Sequence, residues 1–204
     1  MKKQNKSLVQ ILLPFGHFFF ALASAVLGAI IVSWPLLLFF TFIEKSYQTV
    51  NLTIGQVMAN YNQLLWYLVW PWKKKLLMTN LPTSVSAASH FAEVKNLFIL
   101  CEIAFLLGLA LGCYFKQKKE SIKLNQTWAL LLMILPIVVL PFALTNFDSF
   151  FRVFHTLIFH NSNWLFDPET DPVINVLTEG FFAACFAVGG VIYELYFARF
   201  LLNK

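Results

Sequence analysis

Residues 148–182 read DSFFRVFHTLIFHNSNWLFDPETDPVINVLTEGFF, and they lie between two long apolar runs. A plain connection between membrane spans needs only turn residues, whereas this one carries imidazole, carboxylate, amide and indole groups. It includes two of the four histidines and three further polar or aromatic residues: His155, His160, Asn161, Trp164 and Asp167. The stretch therefore indicates a membrane protein with a chemical site where the membrane meets water.

The composition supports a membrane protein. The chain has 204 residues, of which 59% are hydrophobic and 12% charged, and its mean hydropathy is +0.69. Soluble domains carry about 25% charged residues. The net charge of +5 is typical of basic loops that set membrane orientation and contact anionic lipid. No nucleic-acid-binding motif is present, so we expect one transmembrane domain over residues 1–204 and no nucleic-acid partner.

Four apolar stretches are long enough to cross a hydrocarbon core, which takes about 20 helical residues. They lie near residues 18–40, 94–115, 128–147 and 173–197. The pattern predicts an all-α fold, an integral membrane four-helix bundle. The excess length of the first apolar run indicates either a tilted span or a cytoplasmic lead-in that breaks at Pro14–Gly16, and Pro35 is expected to bend the outer end of the span. Pro136 and Pro141 are expected to kink the third span.

The loops indicate an orientation. The short basic loop KQKKESIK at residues 116–123 is a cytoplasmic marker. Both termini are then cytoplasmic, and the loops at residues 44–93 and 148–172 face outwards. The topology predicts a multi-pass protein whose site lies at the outer leaflet.

The outer loop at residues 44–93 contains a predicted surface helix. Residues 54–72 are apolar at near-helical spacing but too polar and too short to span, so they are expected to lie on the outer leaflet. The alternative is that this helix only caps the bundle. Residues 84–89, SVSAAS, predict a flexible approach to His90 and an N-cap for the second span.

The histidines converge in this topology. His90 begins the second span from the outside, with Glu93 three residues later on an adjacent part of the same helical face. A carboxylate beside an imidazole can fix its tautomer. His155 and His160 precede the fourth span on the same outer side, whereas His17 is alone near the inner end of the first span and is interpreted as a packing residue.

The chemistry that these residues indicate is proton transfer. No serine stands in a nucleophile motif, so the substrates are expected to bring their own nucleophile and the imidazoles to act as acid and base. A zinc site formed by His90, His155 and Asp167, as in a metal-dependent membrane hydrolase, stays an alternative, although no HExxH motif is present. A non-catalytic transporter subunit or scaffold is the other. Glu102, a carboxylate inside the second span, is a further candidate.

Three segments together resemble a known family. They are YNQLLWYLVW at residues 61–70, SHFAEVKNLF at 89–98 and FHTLIFHNSNWLFDPETDPVI at 154–174. The chain resembles the lipoprotein intramolecular transacylases, four-span membrane proteins of Gram-positive bacteria. The likeness covers the outer loop, the second span and the last third of the chain. Glu93 stands where the family pattern has Asp, and Thr178 where it has Pro.

The resemblance implies a reaction. Family members move the sn-2 acyl chain of a diacylglyceryl-Cys lipoprotein to the α-amine of its N-terminal Cys, which leaves a lyso-form lipoprotein. The positions that match the family's catalytic pair are His90 and His155. Five residues are expected to bind substrate or position the pair: Glu93, His160, Asn161, Trp164 and Asp167. The expected partners are the diacylated lipoprotein and lipid of the bacterial plasma membrane, and no cofactor or metal is expected.

Overall fold

The structure is a computed structural model that describes residues 2–119 and 122–202, with side chains from Leu12 onwards except at 140, 141 and 144. Within these residues the chain is helical and has no strand. The helices are α1 Lys2–Glu44, α2 Ser46–Thr49, α3 Ile54–Val69, α4 Val85–Gln117, α5 Gln126–Thr145, α6 Phe147–Phe159 and α7 Glu179–Leu202, with a 3₁₀ turn at Pro172–Asn175. The predicted all-α class is confirmed.

Among the residues that the structure describes, three helical stretches are long and apolar enough to cross a membrane: Leu12–Glu44, Val85–Gln117 and Glu179–Leu202. Large apolar side chains on them point outwards, as at Ile31 and Leu106, which is the arrangement that suits contact with lipid. The predicted third span falls mostly within α5, whose 20 residues cover about 30 Å at about 1.5 Å per residue. A four-helix bundle stays a prediction.

Helix α1 corrects one expectation. It runs without interruption through Pro14, Gly16 and Pro35, so the predicted break at Pro14–Gly16 is wrong. A proline removes a single backbone donor, and in apolar surroundings the remaining helical hydrogen bonds are too costly to give up. Helix α5 likewise continues through Pro136, while the side chain of Pro141 lies outside the described residues.

Helix α4 begins earlier than predicted. Residues 85–89 form its first turns and are not a flexible approach. Ser84 caps the helix, because its hydroxyl accepts a hydrogen bond from the backbone N–H of Ala87 at 3.1 Å. His90 therefore lies on regular helix close to a capped end, where the backbone fixes its direction.

Helix α7 begins later than predicted, at Glu179 and not at residue 173. Val173, Val176 and Leu177 are buried in a 3₁₀ turn and the residues after it. Hydropathy does not distinguish such a turn from the end of a span. Thr178, which departs from the family pattern, caps α7 by accepting from the backbone N–H of Phe181 at 3.3 Å.

Helix α3 occupies the first part of the predicted surface helix. It starts with a reciprocal capping box between Thr53 and Gln56 and ends before Pro71. Asn60 is fully buried, and its side chain exchanges hydrogen bonds with Asn80. The buried face of α3 is thereby fixed to the loop that leads to α4, and a position on the membrane surface stays a prediction.

The chain divides into two compact units. The first comprises Met1–Ala29, Leu100–Pro141 and Ala187–Lys204, and the second comprises Ile30–Ile99 and Phe142–Phe186. The core of the second unit combines α3 residues such as Leu64 with Leu37, Phe91 and Phe181. The predicted catalytic pair and the five residues expected around it belong to this second unit, whereas Glu102 belongs to the first. The expectation of a single domain is not tested by this division.

Candidate active site

The start of α4 is tied to the loop before α7. Asp171 is almost fully buried, and its two carboxylate oxygens accept from the backbone N–H and the hydroxyl of Ser84 at 2.6 and 2.8 Å. A carboxylate at a helix N-terminus is also favoured by the helix dipole. This pair of bonds fixes the first turn of α4, and with it His90, against the segment that follows His155.

His155 lies on α6, a helix that the sequence analysis treated as part of a connection. Asn146 caps α6 by accepting from the backbone N–H of Ser149 at 2.9 Å. The Nδ1 atom of His155 is 2.8 Å from the carbonyl oxygen of Phe151 one turn earlier. A carbonyl only accepts, so Nδ1 carries the proton and donates. The neutral ring therefore has its lone pair on Nε2, where it can act as a base.

The two imidazoles lie next to each other. Their ring centroids are 5.5 Å apart with an angle of 44° between the planes, and the residues are 6% and 8% exposed. Their separation along the chain is bridged by the packing of α4 against α6. Two histidines thus share one small buried volume, which is the arrangement that acid–base chemistry needs.

Aromatic side chains surround the pair. Phe159 meets His90 edge-on at 4.6 Å, and Phe166 does so at 5.7 Å. Phe151 and Trp164 lie against His155 at 3.8 and 5.1 Å. These contacts hold both rings and leave them poorly hydrated.

Burial lowers the pKa of His155, and the hydrogen bond to the Phe151 carbonyl offsets part of that effect. Loss of hydration disfavours the charged imidazolium, whereas the carbonyl favours it. Because the net direction is downward from the ordinary value, His155 is neutral at pH 7 and available to accept a proton.

Glu93 faces His90 from the next turn of α4. Its Oε2 atom is 3.8 Å from Nδ1 of His90, and neither atom has a hydrogen-bond partner among the described residues. A normal hydrogen bond at about 2.9 Å needs a shift of about 1 Å. The carboxylate is therefore placed to fix the His90 tautomer after a small adjustment.

Asn161 connects the two sides of the site. Its amide nitrogen donates to Oε1 of Glu93 and to the carbonyl of Phe159, both at 2.8 Å. Its backbone carbonyl accepts from the indole N–H of Trp164 at 2.7 Å. One residue thus joins the carboxylate beside His90 to the indole that packs on His155.

The remaining predicted residues lie at the edge of this group. His160 is exposed and ends α6 in the left-handed conformation, with φ 52°. Asp167 is exposed and shapes the turn before Asp171, since its side chain accepts from the backbone N–H of Glu169 at 2.9 Å. No contact within the described part of the chain joins either residue to the imidazoles, and a substrate-binding role stays a prediction for both.

Asp171 was given no role by the sequence analysis, although it stands in the quoted stretch. Nothing in the sequence pairs it with Ser84, because the two are far apart along the chain and neither belongs to a local motif. One signal in the sequence was Ser84 at the start of a predicted helix. The first backbone N–H groups of a helix have no partner within the helix, so an acceptor elsewhere in the chain was to be expected.

A cleft opens beside the pair. It has a volume of about 230 Å³ and is lined by Glu93, Asn96, Leu97, Ile158 and Phe159. In the part of the chain that the structure describes, no three His, Cys, Asp or Glu side chains cluster as metal ligands would. The zinc alternative of His90, His155 and Asp167 has no such cluster to support it.

The fold and the site define a helical membrane protein with a buried histidine pair. The family model described as "Lipoprotein intramolecular transacylase Lit" matches residues 11–182. The chain belongs to this family, which confirms the resemblance found in the sequence. A search of the curated proteins gave no match.

Solved structures show the same fold. The chain is similar to the membrane integral lipoprotein intramolecular transacylase Lit from Bacillus cereus, with 24% identity, a TM-score of 0.83 and coverage of 98% of this chain and 94% of that one. Two forms of that protein with one histidine replaced also match at 24% identity over 98% of this chain. The arginine form has a TM-score of 0.77 with 90% of its chain covered, and the alanine form has 0.76 with 94% covered.

Proposed function

We propose that this chain is an intramolecular transacylase of the bacterial plasma membrane. It moves the sn-2 acyl chain of a diacylglyceryl-Cys lipoprotein to the α-amine of the N-terminal Cys and so produces the lyso-form lipoprotein. The observation that carries the proposal is the pair of buried imidazoles, 5.5 Å apart, in a chain of this family.

The reaction moves one acyl group and one proton. The α-ammonium first releases one proton to the solvent; the free amine then attacks the sn-2 ester carbonyl, a C–N bond forms, and the C–O bond to the glyceryl oxygen breaks. His155 takes the proton that leaves the nitrogen, through Nε2. That proton passes from His155 to His90 across the short distance between the rings. His90 hydrogen-bonds the departing glyceryl oxygen and delivers the proton to it, so that both imidazoles end neutral. An ester and an amine become an amide and a hydroxyl.

No acyl-enzyme is needed, because the amine and the ester belong to one molecule. Well-oriented intramolecular attack lowers a barrier by about 7–11 kcal/mol relative to a bimolecular reaction. The protein then has to fold the substrate and move protons, and the site residues fit that task. Glu93 orients His90, Asn161 and Trp164 hold the arrangement, and His160 and Asp167 contact the substrate from the exposed side.

The orientation in the membrane is part of the proposal. Four spans with both termini in the cytoplasm place the histidine pair at the outer leaflet, where lipoproteins carry their lipid anchor. Helix α3 lies at the outer surface. The basic loop at residues 116–123 supports this direction, although residues 120 and 121 lie outside the described part.

Mass spectrometry of a lipoprotein N-terminus tests the proposal. Cells that make this protein are expected to contain lipoprotein acylated on the Cys nitrogen with a free glyceryl hydroxyl, and cells that make His155→Ala to contain the diacylglyceryl form alone. An identical lipoprotein in both strains would overturn the proposal. Activity that disappears with a chelator and returns with zinc would point to the metal-dependent hydrolase.

A further inference from the structure

The cleft beside the histidines has two unlike walls. Helix α4 contributes Glu93 and Asn96 together with Leu97, whereas α6 contributes the apolar side chains of Ile158 and Phe159. Ile158 and Phe159 follow His155 by about one helical turn, so the cleft lies alongside the base. The single ionisable group among the described lining residues is the Glu93 carboxylate.

Among the described residues, no Lys or Arg lies at ion-pairing distance from this carboxylate. Within the described residues, the one group at ion-pairing distance is the His90 ring, at 3.8 Å. The carboxylate is held from the other side by the neutral amide of Asn161. A partly buried negative charge among apolar side chains is costly unless it is paired, so the cleft is complementary to a positively charged group.

The size and the walls define what enters. At about 230 Å³, the cleft is smaller than the pockets of about 300–1,000 Å³ that enclose whole drug-sized ligands. It therefore takes one end of a larger amphipathic molecule. That end needs a cation for Glu93, a hydrogen-bonding group for the Asn96 amide, and an apolar part for Leu97, Ile158 and Phe159.

We propose that Glu93, with Asn96 beside it, binds the α-ammonium group of the lipid-modified Cys and holds the nucleophilic nitrogen next to His155. This inference rests on the proposed function and names the substrate group that the cleft takes. The α-ammonium is the charged group nearest to the acyl chains of such a substrate, and the first peptide amide lies where the Asn96 side chain can reach it. Glu93 is then a substrate-binding residue as well as a neighbour of His90.

The experiment is a binding measurement without turnover. The probe is a peptide whose N-terminal Cys carries a dialkylglyceryl group with ether bonds, which offers no ester to attack. One version has a free amine, and the other has an N-acetyl group that removes the charge. Both are titrated into the full-length protein in lipid nanodiscs. The wild type is expected to prefer the free amine by about 10- to 100-fold, the range for hydrogen bonds to charged groups.

Three variants locate the preference. In Glu93→Gln the preference falls below about threefold, since the charge is gone and the shape is kept. Asp148→Asn, which neutralises an exposed carboxylate on α6 outside the cleft lining, keeps the wild-type ratio and is the matched control. His90→Gln also keeps the ratio. If Glu93 acted only by orienting His90, removing His90 would abolish the preference just as Glu93→Gln does.

Two results would overturn the inference. One is a Glu93→Gln protein that still prefers the free amine tenfold, and the other is a wild type that binds both peptides equally. The second result needs no substitution and so does not depend on a variant folding. Acyl transfer is measured separately on the ester peptide, so a wild type that prefers the amine but transfers no acyl chain contradicts the proposed function alone.

Discussion

His17 and His155 are both buried histidines on helices, but their surroundings differ. His17 uses both ring nitrogens, with Nδ1 accepting from the Tyr196 hydroxyl at 2.6 Å and Nε2 donating to the carbonyl of Ile122 at 2.8 Å. His155 uses Nδ1 alone, and no described residue bonds its Nε2. A histidine with both nitrogens bonded stabilises structure, whereas one with a free lone pair can transfer a proton. Burial by itself does not separate the two cases.

The largest expected effect comes from removing either imidazole of the pair. His155→Gln and His90→Gln are each expected to lower the rate of acyl transfer by about 10²- to 10⁴-fold, the range for general acid–base groups. The rate of the double variant should lie within about tenfold of the rate of the slower single variant, because the rings act as a unit. Initial rates on a diacylglyceryl peptide, followed by mass spectrometry, measure this. A single variant that keeps a tenth of the rate would contradict the assignment.

The pH dependence sharpens the same contrast. Burial lowers the pKa of His155, so Nε2 stays unprotonated below the ordinary value of 6.5. Activity lost through protonation of this base is expected to have its midpoint below pH 6.5 and to fall about tenfold per pH unit beneath it. Trp164→Ala hydrates the ring and is expected to move the midpoint upwards. A wild-type midpoint above 6.5, or a downward move in the variant, argues against His155 as the base.

A smaller loss is expected from Asn161. In Asn161→Ala, Oε1 of Glu93 and the carbonyl of Phe159 lose their donor, which corresponds to about tenfold in rate if the lost bond costs about 1.4 kcal/mol. Asn161→Asp should lose more, because it sets a second carboxylate against Glu93. The matched control is Asn163→Ala, whose side chain bonds the exposed Ser86 at 3.2 Å. Equal rates for the Asn161 and Asn163 variants would remove Asn161 from the site.

The smallest effect on activity is expected at His17. His17→Leu leaves the Ile122 carbonyl without its donor and the Tyr196 hydroxyl with Arg199 as its remaining side-chain partner, at a cost of about 1–3 kcal/mol in the free energy of unfolding. Thermal unfolding followed by tryptophan fluorescence measures the loss. The rate per mole of folded protein should stay within about twofold of the wild type, because the substitution removes hydrogen bonds but no group that takes part in the reaction. A loss of rate as large as that of His155→Gln would contradict the assignment of a structural role to His17 and a catalytic role to His155.

The sequence was sufficient where one local rule decided the outcome. Apolar runs of span length predicted the helical class. The proposed topology predicted that His90 and His155 lie close together, and their ring centroids are 5.5 Å apart; the side of the membrane stays a prediction. The motif residues were enough for the family. Glu93 was expected near His90 from its helical spacing, and it lies there.

Other features depended on contacts that no local pattern encodes. Helix α6 was missed because residues 148–182 were interpreted as one connection, although Asn146 followed by Phe147, Phe150, Phe151 and Phe154 has a cap and helical spacing. The bonds of Asn161 to Glu93 and of Asp171 to Ser84 join distant parts of the chain. The break in α1 was predicted because proline usually interrupts helices in soluble proteins. In apolar surroundings, the remaining helical hydrogen bonds are too costly to give up, and the helix continues.

The phenylalanines and the indole around the imidazoles have a consequence for product choice. An ester beside two proton-transferring groups is exposed to attack by the solvent as well as by nitrogen, and solvent attack would release a free fatty acid. Phe151, Phe159, Phe166 and Trp164 pack against the two imidazoles, and the histidines are 6% and 8% exposed, so they offer little surface to solvent. In the proposed reaction, aminolysis is therefore expected to outcompete lipase-like cleavage, so that both acyl chains stay in the bilayer.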